Sequence, residues 1–260
     1  MITLYFSGTG NSKHISEQFS KIMQAACYSI EEAVDFETLI HREDTIAFCY
    51  PVYISKVPEI MRNFVQKHKA QLSGKKIIIL CTQLFFSGDG ARVFTEMIED
   101  IDVQIIYAEH FNMPNNICNL WILPLSSSVK ASKVIEKAER KLIKTCENIK
   151  KGIVIKRGFN NTSKLLGWYS QRIYSSQVED KAKKDVRINQ GCIHCGKCVR
   201  LCPTQNLKMV NHNIEQNGEC TLCYRCVNAC PAQAITVLIH AKVKKQYTFG
   251  PQNMQTTSRV

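Results

Sequence analysis

Eight of the thirteen cysteines lie between positions 192 and 230, with the spacing of metal-cluster ligands. The pattern Cys-x2-Cys-x2-Cys-x3-Cys-Pro occurs at 192–203 and again at 220–231. A 4Fe-4S cubane needs four thiolates that approach from several directions, so a loop with three cysteines can cap three irons while a remote cysteine binds the fourth. We therefore predict two clusters with crossed ligand sets, one bound by Cys192, Cys195, Cys198 and Cys230 and the other by Cys202, Cys220, Cys223 and Cys226.

Zinc is the alternative metal, because pairs of Cys-x2-Cys motifs also build tetrahedral zinc sites. Three cysteines in series fit that pattern poorly, and the proline after each fourth cysteine, Pro203 and Pro231, is typical of cluster segments. Gly196 would let the first loop approach its cluster closely.

A second candidate site is the short polar segment that follows the first apolar strand pattern. Small residues allow backbone N–H groups to curl around an anion, and the helix that follows contributes positive potential at its N-terminus. Three hydroxyl groups can donate further hydrogen bonds. The segment consists of Ser7, Gly8, Thr9, Gly10, Asn11 and Ser12.

Several kinds of phosphate ligand bind loops of this type, and each requires a different loop sequence. A nucleoside triphosphate loop needs a lysine directly after its last glycine, and none stands there. A dinucleotide loop needs a third glycine where Lys13 stands, although Glu31 and Glu32 lie where a ribose-binding acid is expected. The hydroxyl-rich segment suits a terminal monophosphate, and an ordinary glycine turn is the remaining alternative.

The elements that must position these residues follow from the hydrophobic pattern. Short apolar runs alternate with helical periods through the first 110 residues, which predicts an α/β fold with a parallel sheet covered by helices. Five strands are expected, at Ile2–Phe6, near Cys27–Ile30, and at Ile46–Tyr50, Ile77–Cys81 and Val103–Tyr107. An amphipathic helix is expected between Val129 and Lys150.

The glycine loop resembles that of the flavodoxin family, whose phosphate loop reads Ser/Thr-x-Thr-Gly-x-Thr/Ser after the first strand. The resemblance covers residues 1 to about 150 and implies a doubly wound five-stranded sheet that binds flavin mononucleotide (FMN) non-covalently. It also implies that loops after the third and fourth strands flank the flavin ring. Those loops supply Pro51, Val52, Tyr53, Thr82, Gln83, Gly88, Asp89 and Gly90.

Two features depart from that family. The ring-flanking tryptophan is missing from the loop after the third strand, where Tyr53 is the candidate for stacking. Soluble flavodoxins are typically acidic, whereas residues 1–150 here are not, which indicates a different docking partner.

The cysteine segment resembles bacterial two-cluster ferredoxins, which implies low-potential one-electron transfer. Together the two parts resemble flavodoxin–ferredoxin fusions of anaerobic prokaryotes. The expected organisation is a flavodoxin-like domain at 1–150, a helical connecting segment at 151–185, a smaller α+β ferredoxin-like domain at 186–240 and a polar tail at 241–260, frayed from Gln246 onward.

Composition narrows the class of protein. The formal charge of +12 falls to about +6 once two clusters and one FMN are counted, so we expect an acidic redox protein as partner rather than nucleic acid or a membrane. The N-terminus shows no signal-peptide pattern, which predicts a cytoplasmic protein.

Two functions remain open at this point. The first is an electron carrier that relays single electrons between FMN, the clusters and a protein partner. The alternative is a flavoenzyme that reduces a small molecule at the FMN, with the segment Asn112–Asn116 as a candidate pocket wall. No residue matches a motif for a general base or nucleophile, so we assign no catalytic residue.

Overall fold

The chain forms two compact units. The structure, a computed structural model, describes residues 1–120 and 122–249, with only the backbone at 170, 171 and 174. The first unit comprises Met1–Ser7, Asn11–Met113 and Lys133–Ser175. The second comprises Gly8–Gly10, Pro114–Ser132 and the chain from Ser176 onward.

The first unit contains one sheet in which every neighbouring pair of strands is parallel. Its order is β2-β1-β3-β4-β5-β6, which confirms the expected doubly wound α/β fold. The strands are β1 (Ile2–Tyr5), β2 (Ala26–Ser29), β3 (Thr45–Pro51), β4 (Lys75–Gln83), β5 (Val103–Asn112) and β6 (Ile155–Lys156).

The central strands contain continuous buried runs because helices cover the sheet. All four residues of β1 are buried, as are Ile46–Tyr50 of β3 and Ile77–Thr82 of β4. The sheet has six strands rather than five, since Ile155 and Lys156 pair with Tyr107 and Ala108 at the outer edge. Two residues are too few to give a strand pattern in sequence.

Helices flank the sheet and bury one side each. In α1, the face at positions 12, 15, 16, 19 and 20 is buried, which is the spacing of one helical stripe. Its buried hydroxyls are paired, since Ser16 donates to the Ser12 carbonyl and Ser20 donates to Thr3. The helices are α1 (Asn11–Met23), α2 (Phe36–His41), α3 (Glu59–Lys67), α4 (Arg92–Thr95), α5 (Ser128–Lys150) and α6 (Asn161–Gly167).

A helical stretch continues beyond α6, as the sequence predicts for the connecting segment. A π-helix spans Trp168–Arg172, and α7 spans Ile173–Lys183. Asn160 caps α6 by accepting a hydrogen bond from the Ser163 N–H at 2.7 Å.

The second unit contains two small antiparallel sheets and two short helices. Strand β7 (Val186–Ile188) pairs with β10 (Ile235–Val237), and β8 (Leu207–Val210) pairs with β9 (Asn213–Gln216). The helices are α8 (Lys197–Leu201) and α9 (Arg225–Ala229). This is the smaller α+β unit expected from the cysteine segment.

The start of the polar tail is packed rather than frayed. Val243 and Tyr247 are buried, and the Gln246 amide donates to the carbonyls of Val227 and Cys230 at 2.9 and 2.7 Å. Residues 250–260 of the expected tail lie outside the described residues. Among the described helices, none is long and apolar enough to cross a membrane.

Candidate functional site

The two cysteine loops, Cys192–Cys198 and Cys220–Cys226, fold alike. Left-handed backbone occurs at His194 and Gly196 of the first loop and at Leu222 and Tyr224 of the second. Each loop then runs directly into a five-residue helix, α8 or α9. Left-handed residues turn the chain sharply, and the three cysteines of each loop line one cavity.

The fourth cysteine of each copy is also held in the same way. The backbone N–H of Asn206 lies 3.2 Å from the Cys202 sulfur, and that of Ala234 lies 3.3 Å from the Cys230 sulfur. An N–H that points at a sulfur stabilises its thiolate form. These two donors were not apparent in the sequence, because a backbone group carries no residue signature.

Each of two cavities in the second unit is lined by four cysteines drawn from both copies. One is lined by Cys202, Cys220, Cys223 and Cys226, and the other by Cys192, Cys195, Cys198 and Cys230. The eight cysteines thus line the two cavities in the same two groups as the predicted ligand sets, and cluster binding by each group stays a prediction.

Apolar side chains complete both cavities. Val186, Leu207 and Val237 line the cavity of the second loop. Ile188, Ile214 and Ile235 line that of the first. Burial raises the pKa of Cys220 to about 11 and that of Cys223 to about 12, and it also raises the pKa of Cys198. A positive group, such as iron, would stabilise the thiolate form of these sulfurs if it bound them.

The donor set of each cavity has the chemistry that an iron–sulfur cluster needs, because all four candidate ligands are cysteine sulfurs. Within residues 1–120 and 122–249, no group of three or more His, Cys, Asp or Glu side chains could hold one metal ion.

The candidate phosphate loop lies between β1 and the N-terminus of α1. Ser7 and Ser12 are buried, and Gly10 has a φ of +105°, which only glycine adopts without strain. The Ser12 hydroxyl lies 2.7 Å from the hydroxyl of Thr82 at the end of β4. The structure thus brings together two residues that were predicted separately, one for the phosphate and one for the ring.

Gly8–Gly10 group with the second unit because of their contacts. The Arg225 Nε donates to the Gly8 carbonyl at 3.2 Å, and the Asn116 amide donates to the Thr9 hydroxyl at 2.8 Å. Phe249 lies against Gly10, where a Cβ would be 2.6 Å from the Phe249 Cβ. Sequence reasoning did not find these contacts, which join residues far apart in the chain.

The predicted ring loops also lie together. The Val52 N–H donates to the Thr82 carbonyl at 2.8 Å, and a Cβ on Gly90 would lie 2.8 Å from a Val52 methyl. Pro51 ends β3, and Tyr53 opens a turn in which its N–H and carbonyl both bond to Lys56. The Gln83 side chain bonds within its own loop, since its amide donates to the Phe85 carbonyl.

The Gly88–Gly90 turn is buried and held by side chains of the first unit. Asp89 is fully buried, and its Oδ2 lies 2.7 Å from Arg92 Nη2 and 2.8 Å from Arg172 Nη2. Gly88 packs on Gly167, where a Cβ on Gly88 would lie 2.5 Å from the Gly167 Cα. The Asp89 carboxylate therefore anchors its loop, and a flavin contact from this turn stays a prediction.

Comparisons with known proteins divide the chain in the same way. Residues 2–113 match the family model described as a flavodoxin domain, and residues 191–234 match the model described as a 4Fe-4S dicluster domain. The first match contains all the predicted FMN residues, and the second contains all eight cysteines. No curated protein matches the chain.

Solved structures similar to this chain include flavodoxins. The Megasphaera elsdenii flavodoxin, in its two-electron reduced form, is 18% identical, with 54% of this chain and 99% of that chain covered and a TM-score of 0.38. Flavodoxin 2 from Bacillus cereus, in its oxidised form, is 15% identical, with 56% and 97% covered and a TM-score of 0.39. From its two family matches, the chain is consistent with a flavodoxin–ferredoxin fusion.

Proposed function

We propose that this protein is an electron carrier that relays single electrons between FMN, two 4Fe-4S clusters and a protein redox partner. The observation that carries the proposal is the pair of cavities, each lined by four cysteines from both motif copies. A cubane carries one electron at a time, whereas a flavin exchanges one or two, so a chain that binds both connects the two kinds of chemistry.

The residues of the second unit would hold the clusters and control their surroundings. The eight cysteines would supply the thiolates, and the aliphatic side chains of both cavities would exclude water. The N–H groups of Asn206 and Ala234 would draw charge from the Cys202 and Cys230 sulfurs, which favours the reduced state of each cluster.

The loop Ser7–Ser12 would bind the FMN phosphate. Its support is the glycine-bearing turn before a 13-residue helix, because the positive end of the helix dipole favours an anion there. Two of the predicted flavin-ring residues, Thr82 and Val52, are linked to this loop. The Thr82 hydroxyl bonds to that of Ser12, and the Thr82 carbonyl accepts the Val52 N–H.

Metal and flavin analysis of protein purified without oxygen tests the proposal. We expect about eight irons, about eight sulfides and one FMN per chain, with the flavin released by acid. Stepwise reduction by dithionite should bleach the cluster absorption and the flavin bands in separate phases. About four irons or fewer would contradict the two-cluster part, and failure to bind added FMN would contradict the flavin part.

A further inference from the structure

We infer that an acidic redox protein docks on the surface around the first cysteine loop, and that electrons enter or leave the protein through the cluster of Cys192, Cys195, Cys198 and Cys230. This inference rests on the proposed function and specifies the partner surface. We call this the first-loop surface and define it as Ile193, Cys195, Lys197, Arg200 and Met209.

The two cysteine loops differ in exposure although their backbones are alike. Ile193 is 62% exposed, whereas Thr221 at the same position of the second loop is 7% exposed. Cys195 is exposed, whereas Cys223 is 6% exposed. Because the rate of electron transfer falls steeply with distance, a partner exchanges electrons fastest with the cluster whose loop is exposed to solvent.

Contacts within the second unit surround α9, the helix that follows the second loop. Arg225 donates to the carbonyls of Gly8 and Leu201, both at 3.2 Å. The Asn228 amide donates to the Asn116 carbonyl at 2.9 Å, and its side-chain oxygen accepts from the Tyr247 N–H at 2.8 Å. The helix that follows the second loop is therefore enclosed by other parts of the chain.

The first-loop surface carries positive charge beside the cluster. Lys197 and Arg200 supply this charge, whereas Arg187 pairs with Asp185 and Lys208 lies opposite Glu215 in the β8–β9 pair. Arg200 Nη1 lies 3.3 Å from the Cys195 carbonyl, so its charge lies against the loop itself. Carboxylates of a partner would complement this surface and speed the encounter.

The first-loop surface also contains exposed apolar side chains. The exposed side chain of Met209 reaches the loop, since its Cε lies 3.7 Å from where a Gly196 Cβ would be. Met209 is 41% exposed. An apolar centre beside basic residues is the composition of a protein-docking surface. In the transfer itself one electron leaves a cluster and one enters the partner, or the reverse, so no bond changes and no proton is required.

The test uses the holoprotein and an oxidised flavodoxin of net negative charge as the probe. The clusters are reduced without oxygen, the flavodoxin is added in a stopped-flow instrument, and its reduction is followed at several salt concentrations. Calorimetric binding of the same flavodoxin provides a second readout that does not depend on electron transfer. The variants are Lys197→Glu and Ile193→Ser, and Lys137→Glu on the exposed part of α5 is the control with the same change of charge.

We expect Lys197→Glu to lower the association rate constant about tenfold at low salt and to flatten its salt dependence. Ile193→Ser should weaken calorimetric binding severalfold, and Lys137→Glu should change neither. If both variants keep their full iron content, and Lys197→Glu and Lys137→Glu lower the association rate constant equally or not at all, then the partner does not dock on the first-loop surface. The proposed electron relay would be unaffected by that result. A wild-type protein without clusters would instead overturn the proposed function, and the inference with it.

Discussion

Arg172 and Asp89 stand 83 residues apart in the sequence, and their side chains form an ion pair with Nη2 2.8 Å from Oδ2. Asp89 is fully buried and also pairs with Arg92, whereas the side chain of Arg172 is 14% exposed. The pair fastens the turn after β4 to the π-helix beyond α6.

We expect Asp89→Ala to destabilise the protein by about 3 to 5 kcal/mol, because it leaves Arg172 without the carboxylate of its ion pair and Arg92 with Glu96 alone. Urea unfolding followed by circular dichroism measures the change. Asp100→Ala is the matched control, since Asp100 pairs with Lys69 at the surface and its loss should have little effect. A loss for Asp89→Ala no larger than for the control would refute the anchoring role.

The contact between Gly88 and Gly167 gives a second prediction. A Cβ on Gly88 would lie 2.5 Å from the Gly167 Cα and 2.6 Å from its nitrogen, and neither backbone atom can move aside easily. Gly88→Ala should therefore lower the free energy of unfolding by about 2 to 4 kcal/mol. The control is Gly152→Ala, which shares the left-handed backbone but has nothing within 4 Å of its Cβ. It should cost only about 1 kcal/mol, and similar losses at both sites would show that the contact is not tight.

His110 makes stability depend on pH. Its Nε2 accepts the Ala91 N–H at 3.1 Å, and it lies beside Glu109, which pairs with Lys141 and Arg157. Burial lowers the pKa of His110 to about 4 from an unfolded value of about 6.5.

Between those two pH values the unfolded chain binds more protons than the folded chain, so stability falls as the pH drops from about 6.5 to about 4. The loss should reach about 3 kcal/mol at the low end. His110→Gln does not titrate, so its free energy of unfolding should decline less over the same window. Parallel declines in the two proteins, measured by urea titration at several pH values, would rule out this source.

The crossed cavities predict which cysteine substitutions resemble each other. Cys230→Ser and Cys195→Ser should damage the same cluster, while Cys202→Ser should damage the other, because the lining sets differ in this way. Each should reduce the iron content from about eight to about four per chain. Electron paramagnetic resonance of the reduced proteins identifies the cluster that remains. A spectrum of Cys202→Ser that matches that of Cys195→Ser would show that ligands are not exchanged between the copies. Cys118→Ser, outside both cavities, is the control.

Much of this architecture follows from local sequence signals. Buried parallel strands are continuous apolar runs, and each cysteine loop carries its ligands within seven residues, so spacing alone indicates both. The strand β6, with two residues, gives no such signal. The sequence around Gln246 and Tyr247 is typical of a polar tail and gives no sign of their packing. Their hydrogen-bond partners, Val227, Cys230 and Asn228, lie elsewhere in the chain.

The residues that contact the candidate sites could not be predicted from the sequence either. Arg225 and Asn116 bond to Gly8 and Thr9, and a single arginine or asparagine in a loop has no periodicity from which to infer a partner. The difference in exposure between the two cysteine loops was invisible for the same reason. It depends on which segments cover each loop and not on the loop sequence, which places the same ligands at the same spacing.

The exchange of the fourth cysteine sets an order of assembly during synthesis. Cys192, Cys195 and Cys198 leave the ribosome well before Cys230, so the first cavity has three of its cysteines and no fourth while the rest of the chain is being made. A chain that stops before Cys220 completes neither cavity. Under the proposed function, the cluster of the first cavity could therefore be completed only after residue 230 has emerged, although the cysteines of the second cavity are all present once Cys226 has been made.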